Sequence, residues 1–284
     1  MKVFAMTFAY NEAFFLPRWV TYYGSQLGPE NLFVIDHGST DLSTQGLGRV
    51  NVIRVPRESY DEVQRILAAR EIHAGLLKYY DAGFVTDADE FVVVDPRNYK
   101  DMRDFAAKTV AKAVTCIGLE LFHDRRHEPD FNHSLPILAQ RNLVLFDSWM
   151  CKHSFASRPI KFGGGFHTSD QPIHFIDDLY LIHLKNFDYK FRIARQRVTS
   201  SWVYAGDWGE HARKQIEYVD QLFENIDDKI LCGQISDNFD FSMEIARCLQ
   251  RVIINPSGEY DFNSKGGFNS PDLHRLPNRF LGLF

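Results

Sequence analysis

Apolar and polar positions follow a regular order over the first 95 residues of the chain. Four short apolar runs predict strands, a buried one at 2–9 and three more at 31–35, 50–55 and 83–86. Apolar residues at helical spacing predict a helix that opens at 11–13 and a longer helix over 61–80. This β-α-β-β-α-β order predicts an α/β fold with a mainly parallel sheet flanked by helices.

The second half of the chain has a less regular pattern. Extended segments and helices are predicted there, the former at 113–119, 173–175 and 179–183 and the latter at 99–109, 189–198 and 210–226. The polar segment 123–136 carries two prolines and is predicted to form a loop over the cleft. The last thirty residues are rich in Pro, Asn and Gly, which indicates a tail packed on the body or a partner contact.

The composition of the 284-residue chain narrows the classes of function. A hydrophobic content of 45% is enough for a large core without disulfides. The net charge of −5 gives no overall field that attracts phosphates, so no nucleic-acid partner is expected. The four cysteines are scattered and form no CxxC pair, which argues against structural zinc and favours reduced thiols in the cytoplasm.

The N-terminal segment also bears on location. It is apolar, but Asn11 and Glu12 interrupt it and no small-residue cleavage site follows, so it predicts a strand and not a signal peptide. No apolar run reaches the ~20 residues that a membrane helix needs. We therefore expect a soluble cytoplasmic protein without a transmembrane segment, while a peripheral membrane contact stays open.

Three polar clusters, at 10–12, 36–41 and 87–90, follow predicted strands. In open sheets of this kind, ligands bind beyond the carboxyl ends of the strands. Asp87 and Asp89 lie two residues apart on an extended backbone, so their carboxylates point the same way. Such a pair suits Mg²⁺ or Mn²⁺ bound together with substrate phosphates, although DxD sequences also occur on ordinary surfaces.

The other two clusters allow two interpretations each. Asp36 begins the segment DHGSTD, which fits either a nucleoside contact or an Asx turn. Asn11 and Glu12 fit the start of a helix, where they satisfy free N–H groups, and a helix start also suits a phosphate.

The segments NEAFFLPRWV at 11–20, DHGSTD at 36–41 and DADEF at 87–91 together resemble the family-2-like glycosyltransferases. The closest pattern is the branch that reads NEAxFLxEWxxYxxxLG, then DxxSxD, then DxDEF. The resemblance implies a GT-A-type fold, a nucleotide-sugar donor (typically a UDP-sugar), a glycan or other hydroxyl acceptor, and Mn²⁺ or Mg²⁺. It further implies that Asn11, Glu12 and Asp36 bind the nucleoside and that Asp87 and Asp89 bind the metal.

The second half resembles the same branch more loosely, through K…RP…GxH and HYxxKS-like segments. The resemblance implies that Lys152, Arg158 and Lys185 bind the diphosphate, and the alternative is that they are surface charges. It also implies a late histidine on the metal, with His167 as the first choice and His183 as the second. A lone histidine is equally well explained as a hydrogen-bonded structural residue.

The general base has several candidates, and inversion or retention at the anomeric carbon stays open. An inverting transferase needs a group that deprotonates the acceptor hydroxyl. Candidates near the fifth strand are Glu120, His123, Asp124 and Asp147. Glu120 and Asp124 are preferred by position alone.

Two other functional classes remain. A nucleotidyltransferase or phosphohydrolase would share the fold, but the segment after the first strand lacks the Gly-rich basic loop expected of the former. A non-catalytic carbohydrate-binding relative is the second alternative. We predict a GT-A-type catalytic domain over 1–210 and a helical extension over 211–284. The acceptor loops are predicted at 123–136 and 200–212. Trp202, Tyr204 and Trp208 lie in the second loop and suit either sugar stacking or core packing. The oligomeric state stays open.

Overall fold

The four apolar runs near the N-terminus form parallel strands that lie side by side. In the computed structural model, which describes residues 1–205 and 215–284, they are β1 (Val3–Ala9), β2 (Leu32–Asp36), β3 (Asn51–Arg54) and β4 (Ala82–Val85). The order across the sheet is β4-β1-β2-β3, and every pair in it is parallel. The predicted α/β fold with helices flanking the sheet is confirmed, although the sheet as a whole is mixed.

The mixed character comes from the strands of the second half. They are β5 (Glu90–Val94), β6 (Ala113–Phe122), β7 (Leu143–Phe146), β8 (Phe155–Ala156), β9 (Phe175–His183), β10 (Ile235–Ser236), β11 (Ile253–Ile254), β12 (Tyr260–Asp261) and β13 (Leu273–Arg275). β8 pairs antiparallel with β4 and with β6, and so joins the parallel part to the rest of the sheet. β9 runs parallel to β6 and antiparallel to β5. The segment predicted at 179–183 and the last residue of the segment predicted at 173–175 belong to one strand, β9.

The described helices cover both faces of the sheet. They are α1 (Phe15–Leu27), α2 (Glu62–Leu76), α3 (Met102–Lys108), α4 (Ile137–Gln140), α5 (Tyr189–Ser200), α6 (Ile216–Leu231) and α7 (Ser242–Gln250). Side chains of β1 alternate between the faces, because successive residues of a strand point to opposite sides. Val3 and Ala5 belong to the same core as α1, whereas Phe4 and Met6 belong to the core under α2.

Helix α1 fixes the backbone that carries Asp87 and Asp89. Its aromatic residues recur at helical spacing and are fully or nearly buried. The Trp19 indole N–H donates to Thr86 Oγ1 at 2.9 Å, and the Tyr22 hydroxyl donates to the Val92 carbonyl at 2.8 Å. The Tyr23 hydroxyl accepts from the Val92 N–H at 2.8 Å. Polar ends of large buried rings therefore hold the chain just before and just after the acidic pair.

The C-terminal residues pack on the same body. Strand β13 pairs with β7, and the ring of Phe284 stacks on Phe91 with centroids 4.3 Å apart. The predicted boundary at 210/211, the start of the predicted helix at 210–226 and Trp208 all lie outside the described residues. The division into two domains therefore stays a prediction.

A buried histidine gives the fold a pH-dependent stability. His73 on α2 is fully buried between the rings of Phe4 and Phe162, and within 1–205 and 215–284 neither ring nitrogen has a hydrogen-bond partner. Burial lowers its pKa from 6.5 to about 4. As the pH falls below 6.5, the unfolded chain takes up a proton at this residue that the folded chain refuses, so stability is lost.

We expect the His73→Phe variant to lack this loss. In the wild type, His73 alone should lower the free energy of unfolding by about 1.4 kcal/mol between about pH 7.5 and about pH 5.5. Urea denaturation at both pH values would measure it. The matched control is His133→Gln, at an exposed histidine, which should keep the wild-type slope. Equal slopes for His73→Phe and the wild type would contradict the assignment.

Candidate functional site

The polar segments at 10–12, 36–41 and 86–89 meet at one edge of the sheet, because β1, β2 and β4 are adjacent and parallel. A pocket of about 140 Å³ lies there. Its lining includes three carboxylates, two arginines and a wall of aromatic and cationic groups, namely Glu12, Asp87, Asp89, Arg65, Arg195, Tyr10, Arg57, Tyr60 and Trp202. The sequence predicted a ligand site at this edge of the sheet.

Asp87 is neutralised by two buried cations. Its Oδ1 is 2.6 Å from Arg65 Nη1, and its Oδ2 is 3.5 Å from Lys152 Nζ. Arg65 also pairs with Glu62, one turn earlier on α2, at 2.9 Å. Burial works to raise the pKa of Asp87, but the charges of Arg65 and Lys152 outweigh it and the pKa lies below its ordinary value. The carboxylate is therefore ionised, and its charge is balanced within the protein.

Asp89 lies beside His183, and Glu120 binds the other nitrogen of the His183 ring. Oδ2 of Asp89 is 3.6 Å from Nε2 of His183, and Nδ1 of His183 is 2.6 Å from Oε2 of Glu120. Glu120 also accepts hydrogen bonds from the backbone and side-chain nitrogens of Asn186. The sheet register produces this arrangement, because Glu90 on β5 and Glu120 on β6 both pair with His183 on β9.

The charges of this trio depend on one another. Burial works to lower the pKa of His183, but Glu120 and Asp89 outweigh it and raise the pKa to about 10. Burial works to raise the pKa of Asp89, but His183 outweighs it and the pKa lies well below the ordinary value. Without a bound cation, His183 therefore carries a proton between two carboxylates at neutral pH. A carboxylate on the second nitrogen is also what orients histidines that bind metals.

Glu12 presents an unsatisfied oxygen beside the pocket. Its Oε1 accepts a hydrogen bond from Arg195, whereas its Oε2 is buried and has no hydrogen-bond partner among the described residues. Burial raises the pKa of Glu12 to about 7, against the opposing charge of Arg195. A buried acceptor without a partner costs free energy, so a ligand N–H or O–H at this position would be bound favourably.

One wall of the pocket is made of flat groups. The Arg57 guanidinium lies 3.7 Å from the centroid of the Tyr10 ring and 5.2 Å from that of Trp202. The rings of Tyr10 and Trp202 meet edge to face at 5.1 Å. Arg57 also donates to Nδ1 of His37 at 3.3 Å, and burial lowers the pKa of His37, so this histidine is neutral. Such a wall suits a planar ring that carries hydrogen-bonding edges.

Asn11 and Asp36, which the sequence predicts to bind the nucleoside, shape the loops around the pocket and do not line it. Asn11 Oδ1 accepts from the Thr40 N–H at 2.8 Å, which ties the two loops together. Asp36 accepts from the Ser39 N–H at 2.7 Å and is 2.6 Å from Arg54 Nη1. Their role in nucleoside binding stays a prediction.

The three cations predicted to bind the diphosphate lie in different surroundings. Lys152 is buried and pairs with Glu90 Oε1 at 2.5 Å as well as with Asp87. Lys185 is half-buried near Asp89, and burial lowers its pKa to about 8. Arg158 is exposed and does not line the pocket. Lys185 is therefore the candidate near Asp89, since Lys152 is paired with Glu90 and Asp87, and Arg158 is exposed.

Glu120 and Asp124 are the preferred candidates for the general base, and both carboxylates are already bound to neighbouring groups of the protein. Glu120 holds His183 and Asn186. Asp124 accepts from the N–H groups of Arg126 and His127 within its own turn and borders a different pocket.

His167, the first choice for a metal ligand, packs its ring against Trp149 with centroids 5.4 Å apart. Burial lowers its pKa to about 3, and its Nδ1 has no hydrogen-bond partner in the part of the chain that the structure describes. No described contact joins it to Asp89. His183, the second choice, is the histidine beside Asp89.

Several residues in and beside the pocket were not found from the sequence as site residues. Arg65 and Glu62 lie on one face of α2, and their i,i+3 spacing is the local signal that marks them as a pair. Tyr10 and Arg57 had no such signal. Their contact with Trp202 joins segments far apart in the chain, and the sequence predicted Trp202 for the acceptor side.

Comparison with known proteins shows similarity in fold to several solved structures. No protein-family model matches the chain, and no sequence among the curated proteins matches it significantly. Among solved structures, a mannosyltransferase from Pyrobaculum calidifontis in complex with GDP-Man and Mn²⁺ is similar at 14% identity and a TM-score of 0.39, covering 77% of this chain and 68% of that one.

Two further solved structures are similar at comparable levels. One is a cytidylyltransferase from Leptospira borgpetersenii, with 16% identity and a TM-score of 0.26, covering 44% of this chain and 56% of that one. The other is a mannose-1-phosphate geranyltransferase from Thermus thermophilus, with 10% identity and a TM-score of 0.30, covering 79% of this chain and 65% of that one. All three are transferases by name. Since these TM-scores are low, the functional argument rests on the geometry of the site.

The described residues were also searched for membrane-spanning helices and for groups of metal ligands. Across 1–205 and 215–284, no helix is both long and apolar enough to cross a bilayer. In the same ranges, no group of three or more His, Cys, Asp or Glu side chains is placed to hold a metal ion.

Proposed function

We propose that this protein transfers a sugar from a nucleoside-diphosphate sugar to an acceptor hydroxyl with the help of a divalent cation. The observation that carries the proposal is the pairing of Asp89 with His183 beside the unsatisfied oxygen of Glu12. Asp89 is ionised, His183 is oriented by Glu120, and both lie at the carboxyl edge of the sheet. These features suit a diphosphate and its metal at the centre of the pocket and a nucleoside at its wall.

Asp89 and His183 fit a divalent cation, Mn²⁺ or Mg²⁺. Their facing atoms are 3.6 Å apart, which is too long for a hydrogen bond and suits two ligands of one ion. A cation there would take the place of the proton that His183 otherwise carries between the two carboxylates. It would supply charge neutralisation for the leaving diphosphate. Asp87, balanced by Arg65 and Lys152, is expected to hold the local backbone and contribute less to the metal.

Protein groups would position the rest of the donor. Lys185 and Arg195 provide positive charge near Asp89 for the phosphates. Glu12 Oε2 would accept a hydrogen bond from the sugar or nucleoside, while Tyr10, Arg57 and Trp202 would pack against the base. The predicted UDP-sugar is one member of this class of donor, and residues 1–210 are the proposed catalytic domain.

The test is a calorimetric and thermal-shift titration with UDP, GDP, CDP and dTDP, each with and without Mn²⁺. We expect one nucleotide to bind strongly only when Mn²⁺ is present, with a stabilisation of about 2.7 kcal/mol at a hundredfold excess over Kd. Pyrophosphate with Mn²⁺ is the matched control, because it offers the phosphates without the base and should bind more weakly.

Other outcomes would decide between the classes of function. If none of the four nucleotides binds with Mn²⁺, the proposal is wrong. If a nucleoside triphosphate and a sugar phosphate react with release of pyrophosphate, the protein is a nucleotidyltransferase. Binding without turnover of any nucleotide sugar would indicate a non-catalytic relative.

A further inference from the structure

The strand register places an additional carboxylate beside the Asp89–His183 centre. Glu120 on β6 pairs with His183 on β9 and with Leu145 on β7. Asp147 follows β7 in extended conformation, two residues after Leu145, and its N–H donates to the Gly118 carbonyl at 3.0 Å. Since side chains two residues apart on a strand share a face, Asp147 is on the same face as Glu120 and His183, about 7 Å along the sheet.

Gly118 lets the chain after Asp147 fold onto that face. A Cβ atom at Gly118 would lie 2.3 Å from the Met150 carbonyl carbon and 2.5 Å from the Cys151 nitrogen. Only glycine leaves room for the short 3-10 turn at 148–150 to cross the strand so closely. Asp147 caps this turn, because its Oδ1 accepts from the Trp149 N–H at 2.9 Å. Its Oδ2 accepts no hydrogen bond from the described residues.

Trp149 extends the site beyond Asp147. Its indole nitrogen lies so close to Gly267 that a Cβ atom there would be 2.1 Å away, so the ring rests against the backbone. One edge contacts His167, whose own charge environment includes Asp87 and Lys152. The residue is nevertheless 42% exposed. A large ring that is fixed in place but open to solvent, beside a carboxylate with a free oxygen, is suited to stack on a sugar.

We propose that Asp147 is the catalytic base of the transfer and that Trp149 is the platform on which a pyranose acceptor stacks. This inference rests on the proposed function. Asp147 Oδ2 takes the proton of an acceptor hydroxyl, and the hydroxyl oxygen forms a bond to the anomeric carbon. The bond from that carbon to the diphosphate oxygen breaks, and its electron pair leaves with the nucleoside diphosphate. The proton on Asp147 then passes to solvent, and the anomeric carbon is inverted.

The surroundings of Asp147 support a role in proton transfer. Burial raises its pKa to about 6, the Trp149 N–H opposes this rise, and the charge of Glu120 adds to it. The charges of His183 and Lys185 oppose the rise more weakly. The carboxylate is thus ionised at neutral pH and basic enough to accept a proton from a hydroxyl under attack.

The first experiment uses hydrolysis, in which water takes the place of the acceptor. UDP-glucose, UDP-N-acetylglucosamine, GDP-mannose and dTDP-glucose are incubated with Mn²⁺ and the wild type, Asp147→Asn or Asp147→Ala. We expect both variants to lower the hydrolysis rate by about 10²–10⁴-fold, because general base catalysis contributes a factor of this size. Formate should restore part of the rate in Asp147→Ala, where it fits the vacated space, but not in Asp147→Asn. A structural role would give no such rescue.

Nucleotide binding separates this inference from the proposed function. Asp147→Asn keeps the cap on the Trp149 N–H and should bind nucleoside diphosphate and Mn²⁺ as the wild type does. If no nucleotide binds to the wild type, the proposed function itself is wrong. If nucleotides bind but Asp147→Asn hydrolyses the donor at the wild-type rate, or formate fails to rescue Asp147→Ala, Asp147 is not the base. Failure of the wild type to hydrolyse any of the four donors would also overturn the inference.

The second experiment tests the platform. Methyl pyranosides of glucose, galactose, mannose and N-acetylglucosamine are added as acceptors, and the release of nucleoside diphosphate is followed. We expect at least one to accelerate release in the wild type and in Trp149→Phe. Trp149→Ala should lose the acceleration. If no pyranoside accelerates release, or if Trp149→Ala is still accelerated, the assignment of Trp149 is wrong.

Discussion

Replacing Asp89 by asparagine is expected to lower the turnover of a nucleotide sugar by about 10³-fold. The substitution keeps the shape of the side chain and removes the charge that faces His183 at 3.6 Å. If a cation bound there stabilises the leaving diphosphate by about 4 kcal/mol, its loss corresponds to this factor. Metal-dependent binding of the nucleoside diphosphate should weaken in parallel. Steady-state kinetics and calorimetry over a range of Mn²⁺ concentrations would measure both effects.

The Asp89→Asn variant should also lose some stability, because His183 holds the pKa of the Asp89 carboxyl well below its ordinary value and the ionised group therefore stabilises the fold. A matched control is Asp177→Asn, which removes one charge from an exposed position on β9, the strand that also carries His183. It should keep the wild-type turnover. Turnover of Asp89→Asn within tenfold of the wild type, at saturating Mn²⁺, would contradict the proposed metal position.

Local sequence patterns were sufficient for the N-terminal half of the fold. The apolar runs of β1, β2 and β4 are short and bounded by polar segments, so both the strands and the position of their carboxyl ends could be predicted. The parallel pairing of these strands then brings Glu12 and Asp89 to one edge of the sheet. The aromatic spacing of α1 was also visible, although its hydrogen bonds to the chain around Asp87 were not.

The partners of these carboxylates could not be predicted, because they depend on pairing between distant strands. Glu120 reaches His183 only because β6 and β9 pair in a particular register, and a shift of one strand by one residue would put the two side chains on opposite faces. The sequence therefore indicated Glu120 as a candidate base, whereas in the structure Glu120 binds His183. Likewise, no local signal connects Lys152 to Glu90 across the sheet.

The distance in sequence also explains why the wall of the pocket was missed. Tyr10, Arg57 and Trp202 come from three separate loops, and each has an ordinary alternative explanation when it is considered alone. Aromatic residues in a chain with 24 phenylalanines are mostly core residues. Only the folded arrangement shows that a guanidinium lies over the ring of Tyr10, with Trp202 against both, beside the acidic pair.

Replacing Lys152 by methionine is expected to destabilise the fold by about 3–5 kcal/mol, the cost of removing one partner from a buried ion pair. Lys152 and Glu90 are 4% and 2% exposed, and their charged atoms are 2.5 Å apart. Burial already raises the pKa of Glu90, and Lys152 is the largest influence against it. Without Lys152, Glu90 must therefore be buried unpaired or take up a proton. Denaturation in urea at pH 7 would measure the loss.

A double-mutant cycle with Glu90→Gln decides what Lys152 does. If the ammonium serves mainly to balance Glu90, the variant Lys152→Met/Glu90→Gln should recover most of the lost stability, since no buried charge then lacks a partner. Asp87 keeps its contact with Arg65 at 2.6 Å in either case. The stable double variant can then be titrated with nucleoside diphosphate and Mn²⁺. Wild-type affinity would assign Lys152 to the support of the acidic segment, whereas a large loss of affinity would assign it to the diphosphate, as the sequence pattern suggests.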